Sequence, residues 1–400
     1  GRHTMNVLFS DDAVLTSGGD APGMNAAIRA VVRTACENGI KVYGVVRGYN
    51  GLINGDFIEM DLRSVSDIIN RGGTILYSAR SVEFATEEGL RKAVRTCQEH
   101  GIEGVVVIGG DGSFRGARDL SERGIPCVGL PGTIDNDIAC CDNTIGYDTC
   151  LNTIMEMVDR VRDTTESHDR CTVVEVMGRK AGYLALNAGI ACGATSILIP
   201  EVEYDVQEHI IERMEKTQRT GKKHFIIIVA EGVDVDVHDL AKEIEAKTGV
   251  ESRACVLGHI QRGGSPTAKD RVLATRMGNY AVKLLMNNIG NRVVAAQKKA
   301  IVVLTPNRGL AGGYNANVVK LITESDDVAK EDVVIYAVGR KGIEILERKG
   351  YHIEVDASEI MENPTYPDAA ALCKRVLDDF AEGKCSRSEE RRVGKECRSR

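Results

Sequence analysis

The chain has 400 residues, 43% of them hydrophobic, with 42 glycines, 8 prolines and no tryptophan. That is material for a sizeable core in two or three domains, and it excludes a disordered chain and a collagen-like repeat. A net charge of −7 and 4% aromatics exclude a general polyanion binder and a base-stacking RNA binder, leaving room for a local basic site that takes a small phosphate ester.

No apolar run reaches membrane-spanning length and the opening lacks a signal-peptide core, so a cytoplasmic chain is expected, with no membrane and no nucleic-acid partner. The 12 cysteines stand mostly singly, with no C-x-x-C pair. This fits reduced thiols and argues against zinc.

From residue 13 short apolar runs alternate with amphipathic stretches. VLT ends at a glycine pair, and a helix-like stretch runs from Pro22 to Asn38. Strand-like runs follow at 41–46, 103–110, 126–132, 171–178, 196–200, 224–232 and 252–259, with helical periodicity at Glu87–His100 and Val206–Thr220. Continuous Val/Ile runs predict strands buried on both faces, hence an α/β fold with parallel, doubly wound sheets and ligands in the loops after the strands.

Those loops hold the chemistry. Gly18-Gly19-Asp20 reads either as a tight turn or as a phosphate-binding turn before a helix starting at Pro22. Gly109-Gly110-Asp111-Gly112-Ser113 lets backbone approach a nucleotide, with Asp111 placed for Mg²⁺; it is not a Walker A loop and does not name the phosphoryl acceptor. Pro131 to Asp137, PGTIDND, sets two carboxylates two residues apart after a buried strand, as a base for a hydroxyl would require. Arg80, Arg170, Arg179, Arg253, His259 and Arg262 each fall in or near a loop at a strand end. Singly each reads as a surface charge; together, in an acidic chain, they read as phosphate ligands.

Taken in order, LTSGGDAPGMNAAIR, RGGTILYSAR, GGDGS, PGTIDND, TIGYDT, EVMGR, VAEG and VLGHIQRGGSPTAKDR resemble the bacterial ATP-dependent 6-phosphofructokinases over about residues 13–297. The resemblance implies two Rossmann-like domains, an ATP-binding one at 13–146 plus 261–297 and a fructose 6-phosphate-binding one at 147–260. It implies a homotetramer with shared active sites, ATP as co-substrate, Mg²⁺, and transfer to the 1-hydroxyl of fructose 6-phosphate. Asp135 would be the base, supported by Asp137, with Asp111 at the metal. Arg80 and Arg179 would stabilise phosphoryl charge. Thr133, Met177, Gly178 and Glu231 would hold the sugar. Arg170, Arg253, His259 and Arg262 would grip the 6-phosphate, the first two across a subunit interface. Gly19, Tyr49, Ser81, Gly112, Ser113 and Gly116 would line the ATP site with Arg80 and Asp111. Glycine at 112 and 132, where pyrophosphate-dependent relatives carry a bulkier residue and a lysine, favours ATP. An effector site would use Arg29, Arg33, Arg162 and Lys222, although Thr195 and Thr220 depart from the family there.

Residues 298–384 instead resemble the central α/β part of the F-type ATP synthase gamma subunit, through NRGLAGGYNANVVK and a helix-like run at Tyr366–Phe380. The long helices on which a rotor depends are not in that pattern. The stretch 385–400, basic and with Val393 its one large apolar residue, reads as a disordered, vector- or adapter-derived tail that does not pack. The opening, with Ser10, Asp11 and Asp12 where the family places apolar or basic residues, reads as foreign too. The resulting expectation is a phosphofructokinase lacking its C-terminal end, joined to a gamma fragment. Its alternatives are an inactive chimera, an ATP synthase component and another GGDG-type kinase.

Overall fold

A computed structural model describes residues 11–296, 299–307, 313–324, 330–381 and 387–389. The chain separates into two compact units, 1–296 and 297–400.

The first unit holds two sheets. Its first sheet takes β1 (Asp11–Thr16), β2 (Lys41–Val45), β3 (Phe57–Met60), β4 (Gly104–Gly109), β5 (Cys127–Thr133), β6 (Ile145–Gly146) and, from far along the chain, β11 (Arg292–Val293). The order is β11-β5-β4-β1-β2-β3, with β6 beside β5. All pairs are parallel except β2 with β3. The second sheet takes β7 (Cys171–Val176), β8 (Ser196–Leu198), β9 (Phe225–Ala230) and β10 (Ser252–Val256) in the parallel order β10-β7-β9-β8. β4 and β9 are buried along their whole length, as expected of apolar runs with helices on both faces.

The helices are α1 (Met24–Glu37), α2 (Tyr49–Asn54), α3 (Glu87–Glu99), α4 (Asp111–Ser121), α5 (Tyr147–Ser167), α6 (Tyr183–Ala191), α7 (Glu212–Gln218), α8 (Val237–Thr248) and α9 (Ala268–Met286). Pro22 is not in the first of them. Gly23, at φ 107, takes the cap position, a left-handed conformation that a helical residue does not adopt, so the helix begins at Met24. The stretch from Val206 opens with a π turn at Gln207–Ile211 before α7.

The chain crosses between the sheets at β6–α5 and returns at α9. The Asp270 carboxylate accepts from the backbone N–H of Thr149 at 2.8 Å and its hydroxyl at 2.5 Å, and the Thr149 hydroxyl accepts from the N–H of Thr267 at 3.0 Å. The two crossings are thus tied together in the interior.

Asp11 and Asp12 belong to β1. Asp12 is 1% exposed, and neither carboxylate oxygen has a hydrogen-bond partner among the described residues. Burial, then Glu103 and Asp11, push its acid up to about 7.

The second unit holds a parallel sheet, β14-β13-β12-β15, from β12 (Lys299–Leu304), β13 (Val333–Val338), β14 (Ile353–Asp356) and β15 (Arg387–Glu389), with helices α10 (Tyr314–Thr323), α11 (Arg340–Arg348) and α12 (Tyr366–Ala381). Within the stretch 385–400, residues 387–389 pair with 299–301 of β12. Strand pairing draws on backbone groups, so it needs no apolar side chain. Residues 385–386 and 390–400 lie outside the described residues, as do residues 1–10.

Candidate active site

A cavity of about 450 Å³ opens at the carboxyl ends of β1, β4 and β5. One wall is the turn after β1. The Ser17 carbonyl accepts from the Ser113 hydroxyl at 3.1 Å, and the Ser17 N–H donates to Ile108 at 3.0 Å. A Cβ on Gly109 would stand 2.5 Å from both the Ser113 hydroxyl and the Ser17 carbonyl, so this close approach requires glycine. α4 begins at Asp111, turning its free N–H groups and positive dipole end toward the cavity. Tyr49 stacks on Phe84 with centroids 3.9 Å apart and donates its hydroxyl to Ser113 O at 2.6 Å. A Cβ on Gly116 would meet both rings at 2.8–2.9 Å.

Every residue expected at the ATP site lines this one cavity: Gly19, Tyr49, Arg80, Ser81, Asp111, Gly112, Ser113 and Gly116. Phe84 and Arg115 line it as well and were not anticipated. The Asp111 carboxylate is exposed and pairs with Arg115 at 2.7 Å. Among the described residues no cluster of three or more His, Cys, Asp or Glu could hold a metal unaided. A hard, exposed carboxylate at a helix N-terminus fits Mg²⁺, which takes one or two carboxylates and completes its shell from phosphate and water.

The same cavity takes in Thr133, Asp135, Arg179 and Arg262. Asp135 is 5% exposed. Burial, then Asp137, raise its acid to about 6, against the opposing pull of Arg179 and Arg262. Its aim is set by Asn136, at φ 53, whose amide accepts from Thr144 N at 2.9 Å and donates to Asp142 O at 3.1 Å. Asp137 is exposed.

The second sheet contributes the turn Met177-Gly178-Arg179 after β7, with Gly178 at φ 138 and Arg179 at φ 55. Glu231, after β9, accepts through one carboxylate oxygen from Gly178 N at 3.1 Å and Arg179 N at 2.6 Å. Gln261, a residue that sequence reasoning passed over, accepts from Met177 N at 3.0 Å.

The four expected 6-phosphate ligands do not gather in one chain. Arg170 pairs with Glu251 at 2.9 Å, and Arg253 pairs with the same carboxylate. Arg253 also lies inside β10, opposite Thr172, not in a loop: the apolar run continues through it because β10 is an edge strand with an exposed position there. His259 is exposed in the 3₁₀ turn Gly258–Arg262. The Arg262 guanidinium turns the other way, against Gly19, where a Cβ would stand 2.3 Å from it.

Of the effector set, Arg29 and Arg33 stand one turn apart on α1, Arg162 near the end of α5 and Lys222 in the loop before β9. Arg162 donates to the Cys192 carbonyl. Thr195 N donates to Ile226 O at 2.7 Å, and the Thr220 hydroxyl closes its own turn on Thr217 O at 2.6 Å.

The model for the family described as "Phosphofructokinase" matches residues 12–285. The chain belongs to the phosphofructokinase family. It is 58% identical over 299 residues to the ATP-dependent 6-phosphofructokinase of Brevibacillus brevis, covering 75% of this chain and 93% of that protein. It is 58% identical to that of Bacillus subtilis over 289 residues, 72% of this chain and 90% of that one. Among solved structures, Pichia pastoris phosphofructokinase in the T-state aligns with a TM-score of 0.69 at 30% identity, over 88% of this chain and 47% of the longer fungal chain. A pyrophosphate-dependent phosphofructokinase from Marinobacter aquaeolei shares the fold, with a TM-score of 0.64 at 22% identity over 72% of this chain and 78% of that one. A second model, described as "ATP synthase", matches residues 265–390, beginning well before the expected 298. The stretch shared by both matches lies largely in α9, which packs on α1 in the phosphofructokinase unit.

The two glycines tied to donor choice differ in surroundings. Gly112 has no atom within 4 Å of an added Cβ, whereas one on Gly132 would stand 2.9 Å from Ile108.

Proposed function

We propose that the chain phosphorylates fructose 6-phosphate on its 1-hydroxyl with Mg-ATP, giving fructose 1,6-bisphosphate and ADP. One observation carries the reading: the glycine-rich nucleotide wall and the buried carboxylate Asp135 share a single cavity. Asp135, ionised above about pH 6, takes the hydroxyl proton. Arg179 and Arg80 offset charge on the transferring phosphoryl group. Asp111 would hold Mg²⁺, which neutralises phosphate charge when bound. Thr133, Met177 and Gly178 face the sugar. Glu231 meets it with the carboxylate oxygen left free by the turn, and Arg262 turns back from Gly19 onto the 6-phosphate beside His259. Arg170 and Arg253, both paired with Glu251, would complete the site of a neighbouring copy in a homotetramer. The effector residues would meet in the same assembly. We place the enzyme in the cytoplasm; among the described residues no helix is long and apolar enough to cross a membrane.

The test is a coupled assay of the purified chain with fructose 6-phosphate, run with ATP and with pyrophosphate in parallel and against NAD and lipid acceptors. Turnover with ATP and fructose 6-phosphate is expected. Turnover only on another acceptor would replace the reading with a different GGDG kinase.

A second reading rests on the ATP synthase match. We read residues 298–384 as a gamma-type fragment and 385–400 as an adapter-derived tail, with the whole an inactive chimera if the join disturbs the kinase. The helices described there are 10, 9 and 16 residues long, too short for a rotor shaft. Size exclusion separates the cases: a tetramer supports the enzyme, an aggregate the inactive chimera. Genomic sequence running unbroken through residue 297 in independent isolates would remove the chimera altogether.

A further inference from the structure

Three consecutive backbone N–H groups, those of Met177, Gly178 and Arg179, are all taken by side-chain acceptors: the first by Gln261, the other two by Glu231. Such a run of N–H groups, through a glycine and an arginine both at positive φ, is held from outside because the local backbone does not favour it. Gln261 is the less expected clamp. It is fully buried, and its amide is used at both ends. The oxygen accepts from Met177 N at 3.0 Å, and the nitrogen donates to Gly258 O at 3.0 Å. The Met177 contact is an N–H donor, so the amide oxygen must face it, and the NH₂ then faces the Gly258 carbonyl. Gln261 lies between His259 and Arg262 in the turn Gly258–Arg262. One side chain therefore links the segment bearing those two cations to the turn that aims Arg179 into the cavity.

Building on the proposed reaction, we infer that Gln261 is a positioning residue that sets the His259–Arg262 segment and the Arg179 turn together. Seating of the substrate's phosphate end and charge stabilisation at the transferring phosphoryl group then share one rigid connection. Glu231 alone does not provide this, because it holds Gly178 and Arg179 but not Met177 or the 258–262 turn.

The test uses the full chain. Gln261→Leu keeps the volume and removes both bonds. Expected are a fall in kcat of about tenfold or more, as for a buried donor left unpaired next to a catalytic group, a raised KM for fructose 6-phosphate, and a KM for ATP within twofold of the parent. Gln261→Glu keeps the acceptor and regains the donor only when its buried carboxyl is protonated. Its kcat relative to the parent is expected to recover as pH falls from 8 to 6, whereas the leucine variant's ratio stays flat. In an Arg179→Ala background, Gln261→Leu is expected to cost less than twofold in kcat, since Arg179 is gone, while still raising KM for fructose 6-phosphate through the 258–262 segment. Unchanged kinetics in Gln261→Leu, a flat ratio for Gln261→Glu, or full additivity with Arg179→Ala would each overturn the inference. If the parent chain itself leaves fructose 6-phosphate untouched, the proposed reaction fails instead.

Discussion

The guanidinium of Arg262 occupies the space that a side chain on Gly19 would need: an ideal Cβ there stands 2.3 Å from Nη1. The backbone at Gly19 is not left-handed, so alanine is conformationally acceptable, and the clash falls on the movable tip of a long side chain. Gly19→Ala is expected to leave the melting temperature within about 2 °C, because surface-type rearrangements of this kind cost under about 0.5 kcal/mol. It is expected to shift Arg262 and to change KM for ATP or fructose 6-phosphate at least threefold. A kinetically silent Gly19→Ala would show that the position of Arg262 against Gly19 does not matter for turnover.

Asp135 as the base gives two linked expectations. Asp135→Ser should lower kcat by about 10²–10⁴ while calorimetry still detects fructose 6-phosphate at similar affinity. In the parent enzyme kcat/KM should fall about tenfold per pH unit below about 6, the acid's folded value. A profile flat down to pH 5, or full turnover in Asp135→Ser, would assign the base elsewhere.

Donor choice can be probed at two glycines of opposite character. Gly112→Asp has open space, so the fold should stand while KM for ATP rises at least tenfold as the side chain enters nucleotide space. Gly132→Lys must move Ile108, 2.9 Å from its Cβ, and should cost about 1–3 kcal/mol of stability besides. Thermal melts and ATP kinetics on the pair would tell space-filling in the cavity from overpacking beneath it.

Asp12 makes a stability prediction with a definite sign. Its folded acid value of about 7 lies above the usual 3.8. The folded state therefore holds a proton that the unfolded chain releases. The associated stability is fully present below about pH 4 and is lost as pH rises to 7, a change on the order of 4 kcal/mol. A Cβ on the facing Gly104 would meet both Asp12 Oδ1 at 2.7 Å and the Leu285 methyl carbons at 3.1 and 3.2 Å, so the carboxylate has an apolar neighbour. Asp12→Val should raise the melting temperature at pH 8 and flatten this part of the pH dependence. Equal melting of the two proteins at pH 8 would refute it.

The sheets were legible because Val/Ile runs such as residues 105–108 and 226–229 have no other stable place than a covered parallel strand. The nucleotide wall was legible because glycines and one aspartate recur at spacings set by backbone approach to phosphate. Gln261 was not: a neutral amide inside GHIQRGG carries no charge or periodicity, and its role exists only once β7 and the 258–262 turn are side by side. Nor was the turn of Arg262 toward Gly19, a rotamer choice made by the space a missing side chain leaves. Helix onset at Met24 was misread because proline at a first helical position is a common signal, and the φ of the following glycine overrides it.

β11 pairs with β5 and α9 packs on α1, although the whole second sheet lies between them in sequence. During synthesis the ribosome delivers the second sheet complete while the first still lacks its closing strand and a covering helix. The later-numbered layer can therefore mature first, and the first sheet is complete only after β11 at residues 292–293 has emerged. A nascent chain stalled before α9 would carry an assembled second sheet beside a first sheet still lacking its last strand and the helix that packs on α1.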